Sequence, residues 1–269
     1  MRVWFPEKED YFLQFTPSSS QIHYTESIPI PESSFKGTSI NVPEVPYWWY
    51  YKVKQTKADI MNGLYRKKVL YYDTIFEGDH PGQFIKSKNQ DGSFIIELEP
   101  DKILYGVSPE KVINKIDDIV TIEVLGGTSV TSDLKLEKLE HEHNIIVDDL
   151  LERNPDFNLI KNLKEKNIGY VSHLRSILRY QTDEGIDDIV KRVYPNYAIS
   201  SDGITDWWGS LIGHHIRKLN QTQLWLAIRC GIYNPSSKLH TVRSGVGITL
   251  ESDPDEEWEE LFYKLKWLE

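Results

Sequence analysis

The sequence predicts an α+β protein with a β-rich N-terminal half, a central helical layer and a C-terminal helix–strand–strand–helix unit. Three observations carry that expectation. Short segments rich in β-branched and aromatic residues run from Tyr47 to about Leu125, separated by turn residues. Apolar residues at helical spacing take over between 133 and 193. Beyond that the signals are mixed, ending in a capped amphipathic helix. The boundaries fall at 1–130, 131–195 and 196–269, the three regions forming one compact assembly.

Six of the thirteen prolines lie in residues 1–46 (Pro6, Pro17, Pro29, Pro31, Pro43, Pro46). This stretch reads as edge strands and extended loops lying over the body of the fold. Strands are predicted at 47–54, 68–76, 83–87, 93–99, 103–107 and 119–125, with Asp91-Gly92 as a hairpin turn. A short helix is predicted at 57–62, ending before Gly63. Leu136, Leu139, His143, Ile146 and Leu150 form one helical stripe, and Asn154-Pro155 reads as the cap and first turn of a second helix. Further helices are predicted at 171–181 and 183–193, and from a cap at Asp206 to Leu219. Strands follow at 224–233 and 239–250. Asp253-Pro254 with three acids then opens the final helix, whose stripe is Trp258, Leu261, Phe262, Leu265 and Leu268.

Composition limits the function classes. The chain has 269 residues, 39 % of them apolar, enough for a sizeable core, and a net charge of −10. No run approaches the length of a membrane span, and no leader peptide is visible. Cys230 is the only cysteine, which excludes an intrachain disulfide and makes the cytoplasm the expected compartment.

One stretch points to a partner. Tyr47-Trp-Trp-Tyr-Tyr runs into a segment with six basic residues and one acid, Asp59, between Tyr47 and Lys68. On a strand, Trp48 and Tyr50 would share a face with Lys52 and Lys54, a composition suited to stacking on bases while cations hold phosphates. Arg66, Lys67 and Lys68 extend it. Residues 162–180 have helix–turn–helix spacing around Gly169, with Arg175 and Arg179 on the second helix as secondary contacts. A nucleic-acid-interacting protein is therefore expected, with or without processing chemistry. The alternative is a non-catalytic, inhibitor or immunity-type module whose acids recognise a basic protein, chiefly Asp253, Asp255, Glu256, Glu257, Glu259 and Glu260.

Catalytic candidates are sparse. Asp73 with Glu97-Leu-Glu99 resembles the Asp…Glu-x-Lys arrangement of restriction-type nucleases, departing from it where Glu99 replaces the lysine. A divalent metal enters only if the chain is such a nuclease. His214, near Arg217 on the predicted 206–219 helix, could do acid–base work or bind an anion. His141 and His143 diverge by about 200° on a helix, so no metal site is expected there. Tyr51-Lys-Val-Lys…Ile60…Gly63-Leu-Tyr resembles the strand–helix opening of ADP-ribosyltransferase-like folds, a resemblance that implies a site glutamate at Glu123. Gly-x-Ser-x-Gly, P-loop, Gly-x-Gly-x-x-Gly and His-Glu-x-x-His motifs are absent from the sequence.

Overall fold

The structure is a computed structural model that describes residues 2–5, 11–16, 19–24, 26–27, 30–88, 90–129, 136–168, 171–194 and 208–269. Within them the chain is α+β: five α-helices, two single 3₁₀ turns and fifteen strands in two sheets. The elements in order are β1 (Arg2–Trp4), β2 (Tyr11–Thr16), β3 (Ser19–Tyr24), β4 (Glu26–Ser27), α1 (Tyr47–Met61), β5 (Lys68–Glu77) and α2 (Gly82–Lys88). Then come β6 (Ser93–Glu99), β7 (Lys102–Val107), β8 (Lys111–Ile116), β9 (Ile119–Ser129), α3 (Leu136–Arg153), β10 (Asn158–Ile168), β11 (Val171–Gln181) and α4 (Ile186–Val193). The chain ends with β12 (Leu211–Ile216), β13 (Gln221–Leu226), β14 (Cys230–Asn234), β15 (Leu239–Ile248) and α5 (Pro254–Leu265).

The first sheet has the order β4-β1-β6-β7-β14-β15-β5 and the second β10-β11-β9-β8-β13-β12-β2-β3. All neighbours are antiparallel except β1 and β4. Early and late strands interleave: β5 pairs with β15, β7 with β14 and β8 with β13. Helices α1, α2 and α5 cover the first sheet, burying Trp49, Val53, Phe84, Ile85, Trp258 and Leu261 against Ile95, Tyr105, Val242 and Val246. Helices α3 and α4 cover the second, with Val147, Leu150, Ile189 and Val193 on Val120, Ile122, Leu178 and Leu224. Between the sheets lies a third cluster of Val3, Phe5, Phe94, Ile96, Leu104, Ile212, Ala227 and Cys230. Thus β6 buries Ile95 toward the helices and Phe94 and Ile96 toward the facing sheet, so its apolar run is unbroken rather than alternating.

In the proline-rich stretch 1–46, β1 and β2 are not edge strands but have a partner on each side, β4 and β6 for β1, β12 and β3 for β2. Residues 30–46 do run over the body of the fold. Thr38 N–H donates to the Leu268 carbonyl (2.9 Å), Ile40 N–H to Glu269 Oε1 (3.1 Å), and Trp258 Nε1 to the Pro43 carbonyl (2.9 Å). Gly37 is required here: its φ is 105°, and a Cβ would stand 2.0 Å from the Leu268 carbonyl oxygen. The α5 prediction also holds, with Asp253 capping the N–H groups of Asp255 and Glu256.

Several expected elements are corrected. Residues 47–54 are helical. Trp49, Val53, Thr56 and Ile60 are the buried positions of α1, at spacings of four, three and four, a helical stripe. Five aromatics in a row satisfy both the strand and the helix period, so alternation could not decide. Residues 83–87 form α2 instead of a strand. The expected helix at 171–181 is β11, paired with β10 and β9. The supposed helix–turn–helix is therefore a β-hairpin, and its turn residue Gly169 lies outside the described residues. Asn154 ends α3, its side chain donating to the Leu150 carbonyl (2.9 Å), and does not start a new helix. The 206–219 helix is strand β12 followed by a 3₁₀ turn; its cap Asp206 lies outside the described residues. Gly213 there lets β13 approach, since a Cβ would lie 1.9 Å from the Gln223 carbonyl oxygen.

Three histidines are sealed into these layers. His143 meets Ser176 at 2.7 Å, His240 meets Tyr105 at 2.8 Å between the rings of Phe35 and Phe76, and His214 stacks between Phe5 and Trp225. Burial pushes each down to about 4. The unfolded chain takes up protons near pH 6.5 while the fold refuses them, so their contribution is complete above pH 6.5 and is lost as pH falls toward 4. Each histidine adds a slope of about 1.4 kcal/mol per pH unit in that window. Urea unfolding at stepped pH should show the loss, and His214→Asn should make it shallower. A slope unchanged by that substitution would count against the burial assignment.

Candidate functional site

The chain crosses between the sheets twice at one end of the sandwich, from β7 to β8 and from β13 to β14. The crossings are hydrogen-bonded to one another. Ser108 Oγ donates to the Leu226 carbonyl (2.6 Å), Leu226 N–H to the Glu110 carbonyl (3.0 Å) and Val107 N–H to the Arg229 carbonyl (3.1 Å). Arg229 has φ of 49°, the left-handed region, which a non-glycine residue adopts only when its surroundings impose it. Its guanidinium lies 3.4 Å from His173 Nε2, and burial lowers it to about 10.

A cavity of about 810 Å³ opens beside these crossings. The second sheet contributes Lys111, Asn114, Thr121, Glu123, Arg175 and Trp225. Val120, Ile122 and Val124 face the helices, so alternation turns Thr121 and Glu123 toward the first sheet. The other wall is the end of α5 and its 3₁₀ turn, with Tyr263, Lys264, Lys266, Trp267 and Glu269, and the rim is Lys88, Gln90 and Asp91. β14 covers β15 only from Leu239 to Arg243, whereas β5 runs on to Ile248. Past the end of β14, the Gly245 carbonyl accepts from Lys264 Nζ (2.9 Å).

The lining is cationic within an acidic protein. Six basic residues (Lys88, Lys111, Arg175, Arg229, Lys264, Lys266) face three acids (Asp91, Glu123, Glu269). Arg175 meets Glu123 at 2.6 Å, Lys111 meets Asp91 at 2.6 Å, and Lys264 meets Glu260 at 2.6 Å. Burial lowers the Lys88 ammonium against the opposing pull of Glu269. Two lining donors, Arg175 Nε and Trp267 Nε1, are buried with no hydrogen-bond partner among the described residues. A polar ligand atom or a water in the cavity would satisfy them. Trp225 carries the Lys111 ammonium 5.0 Å over its ring and stacks on His214 on its other side. Among the described residues, no group of three or more His, Cys, Asp or Glu side chains could hold a metal ion.

The residues picked from sequence scatter. Arg175 and Glu123 come together in the cavity; Arg179, also on β11, is exposed outside it. Trp48, Tyr50, Lys52 and Lys54 sit on α1 and form no strand platform. Trp48 stacks on Tyr72 and meets Trp258 edge-on, Tyr50 Oη donates to Asp255, and Lys52 lies 5.2 Å over the Trp48 ring. Arg66 is exposed, the Lys67 stem crosses Gly247, and Lys68 approaches Asp59 at 3.9 Å. Glu97 and Glu99 lie on β6, separated by a register shift that removes their common face. His214 is core, packed between rings. Asp73 holds Arg243 through two hydrogen bonds of 2.6 and 2.7 Å, with Tyr71 3.8 Å below the guanidinium. Of the α5 acids, Glu257 is buried and Glu260 is paired with Lys264. Sequence reasoning missed Lys88, Lys111, Arg229, Lys264, Lys266 and Trp267, which are spread too widely along the chain to form a local pattern.

No family model matches the sequence, and no curated protein matches it. Solved structures do. MenF, the menaquinone-specific isochorismate synthase from Escherichia coli, superposes with a TM-score of 0.67 at 18 % identity, over 90 % of this chain and 65 % of that one. Anthranilate synthase component I from Streptococcus pneumoniae gives 0.66 at 20 % identity, over 90 % and 62 %. The putative 2,3-dihydroxybenzoate-specific isochorismate synthase DhbC from Bacillus anthracis gives 0.69 at 17 % identity, over 96 % and 82 %. This chain has their fold. It spans less than two thirds of the first two. The reading of the chain as a nucleic-acid-interacting or hydrolytic protein, or as an inhibitor-type module, is thereby overturned: the solved structures that share its fold are named as small-molecule synthases, and the aromatic–basic stretch and the 162–180 segment are not the strand and helix–turn–helix that the reading needed. The strand–helix opening that resembled ADP-ribosyltransferases is also absent, since Tyr51–Lys54 lie within α1. No helix among the described residues is long and apolar enough to cross a membrane.

Arg243 pairs across the ladder with Cys230, the residue after Arg229, and its side chain is 5 % exposed. Removing the carboxylate beneath a buried guanidinium is costly, so Asp73→Ala should lower stability by about 3 kcal/mol in urea unfolding. A loss within the range of an exposed ion pair, below about 1 kcal/mol, would show that the pair is not structural.

Proposed function

We propose that this chain is a small-molecule enzyme whose substrate is a cyclic carboxylate related to isochorismate or anthranilate, bound in the cavity at the sheet crossings. The observation that carries this reading is the cationic lining with its two unpartnered buried donors. A carboxylate accepts several hydrogen bonds at once and takes charge-assisted ones most strongly. Arg175 and Arg229 on one wall, and Lys264 and Lys266 on the other, are placed to hold carboxylate groups. The indole N–H of Trp267 adds a neutral donor. Glu123, next to Arg175, is the group proposed to give or take a proton at the ring. The fold supports the substrate class, because the solved proteins that share it are named for synthesis of isochorismate and anthranilate. A cytoplasmic location belongs to the same proposal, in keeping with a single buried cysteine.

Calorimetric titration with isochorismate, chorismate, anthranilate and benzoate tests the reading. Binding should weaken as salt is raised. Arg175→Ala should weaken it about 10- to 100-fold, the worth of a hydrogen bond to a charged group. Glu123→Gln should retain binding and lose turnover of the bound acid, followed by product analysis. Failure of every cyclic carboxylate to bind at millimolar concentration would overturn the proposal.

A further inference from the structure

We propose that the outer edge of β5 is an interface through which two copies of this chain pair as a twofold dimer, joining their seven-stranded sheets into one. A sheet edge offers unpaired backbone donors and acceptors, and folds blunt such edges by shortening, bulging or charging them. Three of the four edges here are blunted in that way. β4 has two residues, β3 has the polar sequence Ser-Ser-Gln-Ile-His-Tyr, and β10 has two register shifts and three lysines in its sequence. The β5 edge is different. It is ten residues long, contains no proline, and pairs with β15 from Lys68 to Glu77 without a register shift. No strand borders its other side among the described residues.

Its side chains are self-complementary in one register. Val69 and Ile75 are 50 % and 65 % exposed and lie on the face turned away from the helices, because Leu70, Tyr72 and Phe76 pack on the helix side. A twofold axis perpendicular to the sheet keeps each face on its own side, so opposed residues must share a face. Centring the axis on Asp73 sets the two Asp73 carboxylates opposite one another and Val69 against Glu77, which like-charge repulsion disfavours. Centring it on Tyr71 carries Ile75 past the end of the opposing strand. Centring it on Tyr72 places Val69 of each copy directly opposite Ile75 of the other, covering both exposed aliphatics, and sets Tyr71 opposite Asp73. That register is the one assigned. A single strand pair is at the small end of protein interfaces, so the dimer depends on concentration.

Sedimentation velocity over a series from low micromolar to several hundred micromolar should show the mass rising from that of the 31.4 kDa chain toward twice that value. Ile75→Lys, at an exposed position that leaves the fold intact, should weaken the association more than about tenfold. The register has its own readout. In Val69→Cys/Ile75→Cys, oxidation should give a covalent dimer, since residues 69 and 75 of one strand lie about 20 Å apart and cannot join within a chain. Cys230, the only native cysteine, is buried and gives no background. Val69→Cys/Glu77→Cys, matched to the Asp73-centred register, should cross-link far less. A monomer at every concentration, or a dimer indifferent to Ile75→Lys, overturns the proposal, as does preferential cross-linking of the second pair.

Discussion

The fold depends on the face-to-face burial of its two sheets and on the two crossings, β7 to β8 and β13 to β14, that join their central strands. Phe94, Ile96, Leu104 and Cys230 of the first sheet pack in one buried cluster with Ile212 of the second sheet and with Ala227 just past β13. At about 25 cal/mol per Å² of apolar surface, that contact is the term holding the two helix-covered halves together. It requires the chain to change sheets without stranding backbone groups in the interior. The crossing segments meet that requirement by bonding each other: Ala227 and Gly209–Ser210 exchange hydrogen bonds of 2.8 Å, and Ser108 closes on Gly92 and Leu226. A buried backbone group left unpaired would cost about 1–3 kcal/mol, so these bonds are a condition of the architecture.

The cavity follows from the same constraint. Where β14 begins, the first sheet has a notch, because β14 pairs with β15 only from Leu239 to Arg243 while β15 and β5 stay paired to Ile248. The side chains around that notch cannot pack against strand neighbours that are absent from it, and polar groups occupy the space instead. Arg229 lies at the turn of a crossing, Lys111 begins β8 just after the other, and Glu123 and Arg175 lie on the inner face of the second sheet. The apolar inter-sheet cluster thus gives way to a charged region at one end. Desolvation there disfavours free charge, which accounts for the lowered Arg229 and Lys88 and for the carboxylate partners beside Arg175 and Lys111.

Much of the secondary structure was legible and its boundaries reveal why. The strands at 68–76, 93–99, 103–107 and 239–250 and the final helix rest on local rules: β-branched runs bounded by turns, and a cap followed by proline and acids. The failures cluster where local rules conflict. In α1 the run of five aromatics fits two periods. In β12, Leu211–Ile216, both faces are covered, so a helical stripe could be drawn through residues that form a central strand. In β11, Arg175 and Arg179 alternate with Leu174, Ser176 and Leu178 on a strand covered by α3, a pattern that also fits the exposed and buried sides of a helix. The site was less legible than the fold. Two of its members, Glu123 and Arg175, attracted attention separately and for other chemistry, and nothing local joined them.

That separation is a physical property of the site and not an accident of reading. Its cations run from Lys88 to Lys266, and they converge only after strands distant in sequence have paired: β8 with β13, β7 with β14, β5 with β15. No segment on its own can present more than a fragment of the cavity, so no motif of fixed spacing could encode it. The converse holds for the aromatic–basic stretch, which is conspicuous in sequence because its residues are adjacent. Adjacency on a helix spreads them around its circumference, with Trp49 inward, Tyr50 onto Asp255 and Tyr51 outward. In an interleaved antiparallel fold, function gathers at places defined by strand pairing, and the strongest local signal can be the one that serves packing.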